Sequence, residues 1–263
     1  MRIDQLLVKK GFVETREKAK RLIMAGEVFV NGEKVDKPSR NFDENVKIFV
    51  KTPEKYVSRG GYKIESAWKY FKFDVSGKVV CDIGASTGGF TDFLLQNGAK
   101  KVYAIDVGKG QLHWKLRNDP RVVVMEKVNA RYLDEESLGE RVDLITCDVS
   151  FISLRKIIPV FQKLLNENGE VVLLVKPQFE AKKEEVKKGL ALNKYVHIRV
   201  LRDIIKTLEE NEISPCDLTF SKVRGTKGNI EYFIYSKLGG CRKSFDVEKV
   251  VNKAWEYFNL EGS

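Results

Sequence analysis

The chain has 263 residues, with 47 Lys+Arg against 37 Asp+Glu, 43% hydrophobic residues and 6 prolines. That apolar content supports a sizeable core and excludes wholesale disorder, while the length suits one large domain with a small one, or two of medium size. No apolar run approaches the ~18–20 residues that span a bilayer, and the first ten residues hold too short an apolar stretch, flanked by charge, for a secretory leader. Four cysteines, Cys81, Cys147, Cys216 and Cys241, stand far apart with no C-x-x-C pair. Their spacing argues against a disulfide scaffold or a zinc site and makes a reducing cytoplasm the expected compartment. The net charge of +10 is uneven, since residues 1–63 hold 15 Lys+Arg and 9 Asp+Glu. A surplus of that kind is either the footprint of a nucleic-acid-binding module or a solvated surface tuned for solubility.

Ile3, Leu6 and Leu7 fall on one helical face, and Gly11 ends that segment. Thr15 is an N-cap for a second helix whose apolar stripe, Ala19, Leu22 and Ile23, stops at Gly26. Arg16, Lys20 and Arg21 lie off that stripe and form a basic face. Asn31-Gly32 between short β-rich runs predicts a hairpin, and residues 46–50 a closing strand. This order of elements resembles the S-four (alpha-L) RNA-binding module over about residues 1–50. The resemblance implies that Arg2, Arg16, Lys20 and Arg21 contact RNA phosphates, which position a partner without reading its sequence. Pro, Ser and paired glycines within 51–61 read as a linker. The expected organisation is therefore a small α+β domain over 1–55, a linker over 56–61 and a large domain over 62–263.

From residue 75 onward, β-rich runs at 79–83, 102–105, 122–125, 144–147, 171–175 and 230–235 alternate with amphipathic stretches such as 90–97 and 154–166. The alternation predicts an α/β fold with a parallel sheet covered on both faces, whose ligands bind at the carboxyl ends of the strands. The first strand runs into Asp82-Ile-Gly84-Ala-Ser86-Thr-Gly88-Gly89-Phe90. Its glycines let the backbone turn tightly and approach a ligand, and the following helix offers free N–H groups. The turn is neither G-x-G-x-x-G nor a Walker loop, and Asp82 would repel a pyrophosphate but welcome a cation. Asp106 ends the second strand, where a carboxylate can accept both hydroxyls of a ribose. This pattern resembles the S-adenosylmethionine site of class I (Rossmann-like) methyltransferases.

No Asn/Asp-Pro-Pro-aromatic follows the fourth strand, where Asp148-Val-Ser-Phe151 stands instead, so an exocyclic base nitrogen is not the expected target. Cys147 adjoins Asp148, but strand alternation turns the two in opposite directions and leaves Cys147 to the core. His113 and His197 are isolated, and no metal-ligand spacing exists. Lys63, Asp148, Lys176 and Glu231 together, in this order, resemble the Lys–Asp–Lys–Glu tetrad of FtsJ-like ribose 2′-O-methyltransferases. A ribose hydroxyl is a weak nucleophile and needs a positioned proton acceptor. Lys176 serves if like-charge repulsion from Lys63 and desolvation bring its pKa from about 10.4 toward neutrality, with Asp148 and Glu231 orienting the ammonium groups.

The strings Ser58-Arg-Gly-Gly-Tyr-Lys63, Asp82 through Thr91, Cys147-Asp-Val-Ser-Phe-Ile-Ser153 and Val175-Lys-Pro-Gln-Phe-Glu180 resemble the TlyA (haemolysin A) family over about residues 1–237. The resemblance implies S-adenosylmethionine-dependent methylation of a cytidine 2′-hydroxyl in ribosomal RNA, 16S and/or 23S, with ribosomal RNA or a ribosomal subunit as partner and no obligate protein partner. It also implies a cofactor site lined by Asp82, Gly84, Ser86, Gly88, Gly89, Phe90, Asp106 and Asn129, the last near the adenine. A non-catalytic ribosome-binding factor with a methyltransferase fold, or a haemolysin, are the alternative functions, although nothing in the sequence is built to enter a bilayer. Residues 247–258 read as an amphipathic helix of unassigned purpose.

Overall fold

The computed structural model describes residues 1–51 and 54–259 and divides into two compact units, Met1–Lys55 and Tyr56–Ser263. Thr52 and Pro53, whose proline contributed to the linker reading, lie outside the described residues. In the first unit, α1 (Ile3–Lys9) and α2 (Arg16–Met24) pack on a three-stranded sheet of β1 (Val28–Val30), β2 (Glu33–Lys34) and β3 (Ile48–Val50) in the order β2-β1-β3. Thr15 caps α2 by accepting from the Lys18 N–H. Asn31 and Gly32 both take positive φ between β1 and β2, the backbone twist that a tight hairpin requires. Ile3, Leu6, Leu7, Ala19, Ile23, Val28, Val30 and Val35 make the core, so the helical stripes read from the sequence all point inward.

The second unit opens on α3 (Arg59–Phe71), β4 (Val79–Ile83), α4 (Gly89–Gln96), β5 (Lys101–Asp106), α5 (Trp114–Arg117), β6 (Val122–Glu126), α6 (Glu135–Leu138) and β7 (Val142–Cys147). There follow α7 (Phe161–Leu164), β8 (Leu165–Val175), α8 (Pro177–Glu180), the small pair β9 (Val186–Lys187) and β10 (Leu190–Ala191), α9 (Lys194–Glu210), β11 (Ile213–Phe220), β12 (Tyr232–Leu238) and α10 (Val247–Tyr257). The main sheet has seven strands in the order β11-β12-β8-β7-β4-β5-β6. It is parallel from β8 to β6, with β12 and β11 antiparallel at one edge. The chain leaves β4 toward β5 and β6 and then returns to β7 on the other side. The switch point therefore lies between β4 and β7, where a crevice opens beyond their carboxyl ends. The buried β4 strand, Val-Val-Cys-Asp-Ile, has no exposed face, as expected of a strand covered by helices on both sides.

Several elements depart from the sequence-based expectations. Residues 154–166 do not form one helix; they make two 3-10 turns, Leu154–Lys156 and Ile158–Val160, then the single turn of α7. Pro159 is the cause, because its ring disfavours helical backbone in the preceding residue and it supplies no N–H. The edge strand β11 is not among the β-rich runs of the sequence; it contains Pro215, the ladder shifts register there, and an edge is where a sheet tolerates proline. Cys216 and Cys241 form a disulfide, which corrects the expectation of unpaired cysteines. The β11–β12 hairpin brings the two together: Ile213 pairs with Leu238, so the chain beyond β12 folds back over residues 214–216.

Arg59, Gly60 and Gly61, read as linker, are the first turn of α3. A Cβ on Gly61 would collide with the Tyr56 ring, and one on Gly89 would sit 2.7 Å from the Gly61 nitrogen and 2.9 Å from the Gly60 Cα. The paired glycines thus let the starts of α3 and α4 touch backbone to backbone. Since backbone cannot step aside, Gly89→Ala is expected to cost about 1–3 kcal/mol through overpacking. At ~2–4 °C per kcal/mol for a domain of this size, calorimetry should register a fall of several degrees; an unchanged transition would show that the contact has room to spare.

Candidate active site

The glycine turn after β4 sits at the switch point. Gly84 and Gly88 take φ of 85° and 99°. A Cβ on Gly84 would strike the Asp148 carbonyl oxygen, so glycine here lets the turn touch the end of β7. Gly88 instead faces inward, against Leu112 and Leu116, and lines neither of the two cavities described below. Ser86 adopts a left-handed φ of 49°, which aims its N–H at Asp106: the Asp106 Oδ2 accepts from Ser86 N at 2.8 Å and its Oδ1 from Gly108 N at 2.7 Å. Each carboxylate oxygen keeps a further lone pair for a ligand.

Two cavities of about 350 Å³ each open around the turn. The first is lined by Ile83, Ile105, Asp106, Val128, Asn129 and Ile157 among others, a mostly apolar wall with a carboxylate and an amide. The second is lined by Arg59, Lys63, Phe90, Lys176 and residues of the glycine turn. They share Gly84, Ser86, Asp148 and Ser150. Asn129 caps a 3-10 turn by accepting from Arg131 N through its Oδ1.

Lys63, Asp148, Lys176 and Glu231 come from α3, the end of β7, the end of β8 and the approach to β12, and the fold gathers them as two ion pairs. Lys63 Nζ lies 2.7 Å from Glu231 Oε2, and both are buried. Lys176 Nζ lies 2.6 Å from Asp148 Oδ1 and donates to Ser150 Oγ at 2.8 Å. Buried charges of this kind persist only when paired. The Glu231 carboxylate occupies the space a side chain at Gly225 would fill, so Gly225 is a site residue that the sequence pattern did not single out.

A second such residue is Glu180. Its buried carboxylate accepts from Ser153 Oγ at 2.6 Å and Leu154 N at 2.7 Å, anchoring the loop that follows Asp148, and burial pushes its pKa up against those hydrogen bonds. On that loop Phe151 takes a φ of 62°, is 91% exposed and lies tilted against Phe179, ring centroids 4.9 Å apart. Cys147 is buried in the core and burial pushes its thiol up, which leaves it no nucleophilic role. His197 is buried between Tyr232 and the Ala191 carbonyl with its pKa brought down to about 4 by desolvation, while His113 caps α5. Among the described residues no group of acids, histidines and cysteines could hold a metal ion.

In the first unit, Arg2 and Arg16 both reach the Asp4 carboxylate, Lys20 pairs with Glu17 at 2.7 Å, and Arg21 stands exposed on the last turn of α2.

Asp82 departs from its expected place. It lies beneath the turn, fully buried, and lines neither cavity. Its oxygens accept from Thr91 Oγ1 at 2.6 Å and Thr146 Oγ1 at 2.9 Å, joining α4 and β7 to β4. Burial pushes its pKa up to about 6 from 3.8, against the threonine hydrogen bonds and with help from the Asp148 charge. Between those values the folded state holds a proton that the unfolded chain has released, so stability falls as pH rises through about 6. Asp82→Asn removes that loss. Relative to the variant, the wild type should lose on the order of 3 kcal/mol from about pH 4 to about pH 7, at ~1.4 kcal/mol per unit, as read from urea midpoints; a difference independent of pH would rule out the buried carboxylate.

Residues 56–238 match the FtsJ-like methyltransferase family and residues 1–48 the S4 domain. Fold and site thus define a methyltransferase domain carried with an S4 domain. The chain is 40% identical over 237 residues to the 16S/23S rRNA (cytidine-2′-O)-methyltransferase TlyA of Mycobacterium tuberculosis, covering 89% of this chain and 88% of the relative. It is 44% identical to Hemolysin A of Brachyspira hyodysenteriae, covering 89% and 99%. A solved structure from Streptococcus thermophilus that carries the hemolysin name aligns over 98% of this chain and 97% of its own, at 42% identity and a TM-score of 0.76. The chain belongs to the TlyA, or haemolysin A, family of FtsJ-like methyltransferases.

Proposed function

We propose that the protein transfers a methyl group from S-adenosylmethionine to the ribose 2′-hydroxyl of a cytidine in ribosomal RNA, of one or both subunits. The observation that carries this reading is the pair of lysine–carboxylate contacts on a cavity that also runs along the glycine turn. The residues present suit the cofactor. Asp106, with lone pairs to spare, and Asn129 stand in an apolar, nucleoside-sized cavity that joins the one holding the lysines, and together the two fall within the usual range for ligand pockets. S-adenosylmethionine supplies an electrophilic methyl group when bound.

The chain's own groups do the rest. Lys176 accepts the proton of the ribose hydroxyl, and Asp148 holds the resulting ammonium at 2.6 Å. Ser150, accepting from the same nitrogen, fixes the direction in which Lys176 points. Lys63, held by Glu231 at 2.7 Å, lines the same cavity as Lys176. Arg59, also lining that cavity, offers a cation to the RNA backbone, and the bare face of Phe151 suits stacking against an unstacked base, the usual way single nucleotides of RNA are held.

The haemolysin name of some relatives has no counterpart in a spanning element: among the described residues no helix is long and apolar enough to cross a membrane. Tritium transfer from labelled S-adenosylmethionine to ribosomal RNA from a strain lacking the gene tests the proposal. Wild-type protein should incorporate label. Lys176→Ala should lose at least 100-fold in rate, the scale of a missing general base, while binding cofactor within a few-fold of wild type by calorimetry. Asp106→Ala should lose cofactor binding itself. A wild type that binds cofactor but labels no RNA would leave a non-catalytic ribosome-binding role.

A further inference from the structure

Among the described residues of the first unit, Asp4 is the only buried charged side chain. It lies in the first turn of α1, and its two oxygens accept four hydrogen bonds. Arg2 Nε reaches Oδ1 at 3.1 Å and Arg2 Nη2 reaches Oδ2 at 3.2 Å, a two-pronged contact. Arg16 Nη2 reaches Oδ2 at 2.8 Å and the Gln5 N–H reaches Oδ1 at 3.0 Å. The carboxylate is thereby saturated, and although burial raises its pKa, the arginine hydrogen bonds and charges outweigh that and hold it below the usual carboxylate range. A clip between α1 and α2 does not by itself call for ions, because a well-packed apolar group in place of a buried ion pair is often as stable or more so.

What the arrangement achieves is orientation. Arg2 precedes α1 and Arg16 opens α2, and one carboxylate holds both guanidiniums side by side. Each guanidinium has five N–H donors in a rigid plane; Arg2 uses two groups on Asp4 and Arg16 one, so each keeps N–H groups to spare. Both side chains remain about half exposed, at 41% and 48%, while Asp4 is at 0%. The cations therefore face solvent with their counter-charge beneath them. Two convergent guanidiniums match the tetrahedral oxygens of a phosphate, which arginine engages in paired hydrogen bonds. The chain from Lys37 to Phe42 flanks the start of α1 through Asp4 N to the Pro38 carbonyl and Ile3 N to the Arg40 carbonyl.

We infer that Asp4 is a positioning residue for RNA: its buried carboxylate holds Arg2 and Arg16 as one preset fork for a backbone phosphate of structured ribosomal RNA. The inference rests on the ribosomal-RNA reading above. Arginines fixed in advance lose less side-chain freedom on binding, so the carboxylate strengthens phosphate binding although its own charge opposes it.

The test uses the full chain and fluorescently labelled transcripts of 16S and 23S ribosomal RNA, with affinity read by anisotropy at several salt concentrations. Asp4→Asn should weaken binding about tenfold and lower the salt dependence, and should raise the KM for RNA with kcat unchanged at saturation. In a background already carrying Arg2→Ala and Arg16→Ala, the same Asp4→Asn change should alter affinity by less than twofold. Unchanged affinity in the single variant overturns the inference. So does tighter binding, which would make Asp4 a competitor of the phosphate, and so does an equal loss in the arginine-free background, which would make it purely structural. Should Asp4→Asn fail to fold, Arg2→Lys takes its place, since it keeps the charge and loses the two-pronged contact; several-fold weaker binding supports the preset fork and wild-type affinity overturns it. A wild type that binds neither transcript overturns the ribosomal-RNA reading along with the inference, whereas wild-type binding that is indifferent to Asp4 overturns the inference alone.

Discussion

A buried lysine that keeps its charge needs an acid beside it, and this constraint organises the methyltransferase domain. Lys63 on α3 and Glu231 ahead of β12 are separated by 168 residues and meet at 2.7 Å. An uncompensated member of such a pair would cost several kcal/mol, so α3 and the β11–β12 hairpin have to arrive together. The approach of α3 is set independently by the glycine contact with α4, whose own start is the ligand-facing turn. Glycine turn, first helix and edge hairpin are thus mutually fixed, and the second pair, Lys176–Asp148, is fixed by the parallel ends of β7 and β8. The site follows from this packing, with the loop after Asp148 anchored in turn by Glu180.

Asp82 adds a polar tie beneath the same point. One carboxylate receives hydroxyls from α4 and β7 while sitting on β4, the three elements that border the switch point. A buried acid with a raised pKa is a poor stabiliser above its titration range, and its value lies in where it holds Thr91 and Thr146. Ser86 and Phe151, both in left-handed backbone, lie on the two loops that border the cavities.

Much of this was legible in the sequence, and for identifiable reasons. Central parallel strands are continuous apolar runs, so β4, β5 and β6 were found to within a residue or so of their ends, and Asn31-Gly32 marked its hairpin through backbone chemistry alone. Asp148 and Lys176 were legible as strand-end charges. What escaped depended on contacts between distant segments. Gly60-Gly61 reads locally as flexible chain and acts as a close-approach surface only because Gly89 lies opposite. Cys216 and Cys241 become neighbours only through the hairpin register. Gly88 and Asp82 belong to the right motif yet face inward, because a motif specifies spacing and leaves to the tertiary packing which side each residue shows. The α9 helix carries its own signal, a four-residue period of Val196, Val200, Ile204 and Leu208.

The basic residues of the S4 domain show why a surplus of charge is a poor measure of a binding surface. Lys9, Lys18 and Lys20 are tied to Glu44, Glu14 and Glu17 by contacts of 2.6–2.7 Å on exposed side chains. Exposed pairs of this kind contribute little, so a phosphate can displace the glutamate readily, but the lysine is then a long flexible arm that has to be ordered on binding. Arg2 and Arg16 differ because their counter-charge is buried and cannot drift away into solvent. Lys20 and Arg16, which charge alone places on an equal footing, therefore differ in the order each brings to an encounter. Lys20 contributes attraction that salt screens, and Arg16 contributes attraction together with a fixed direction.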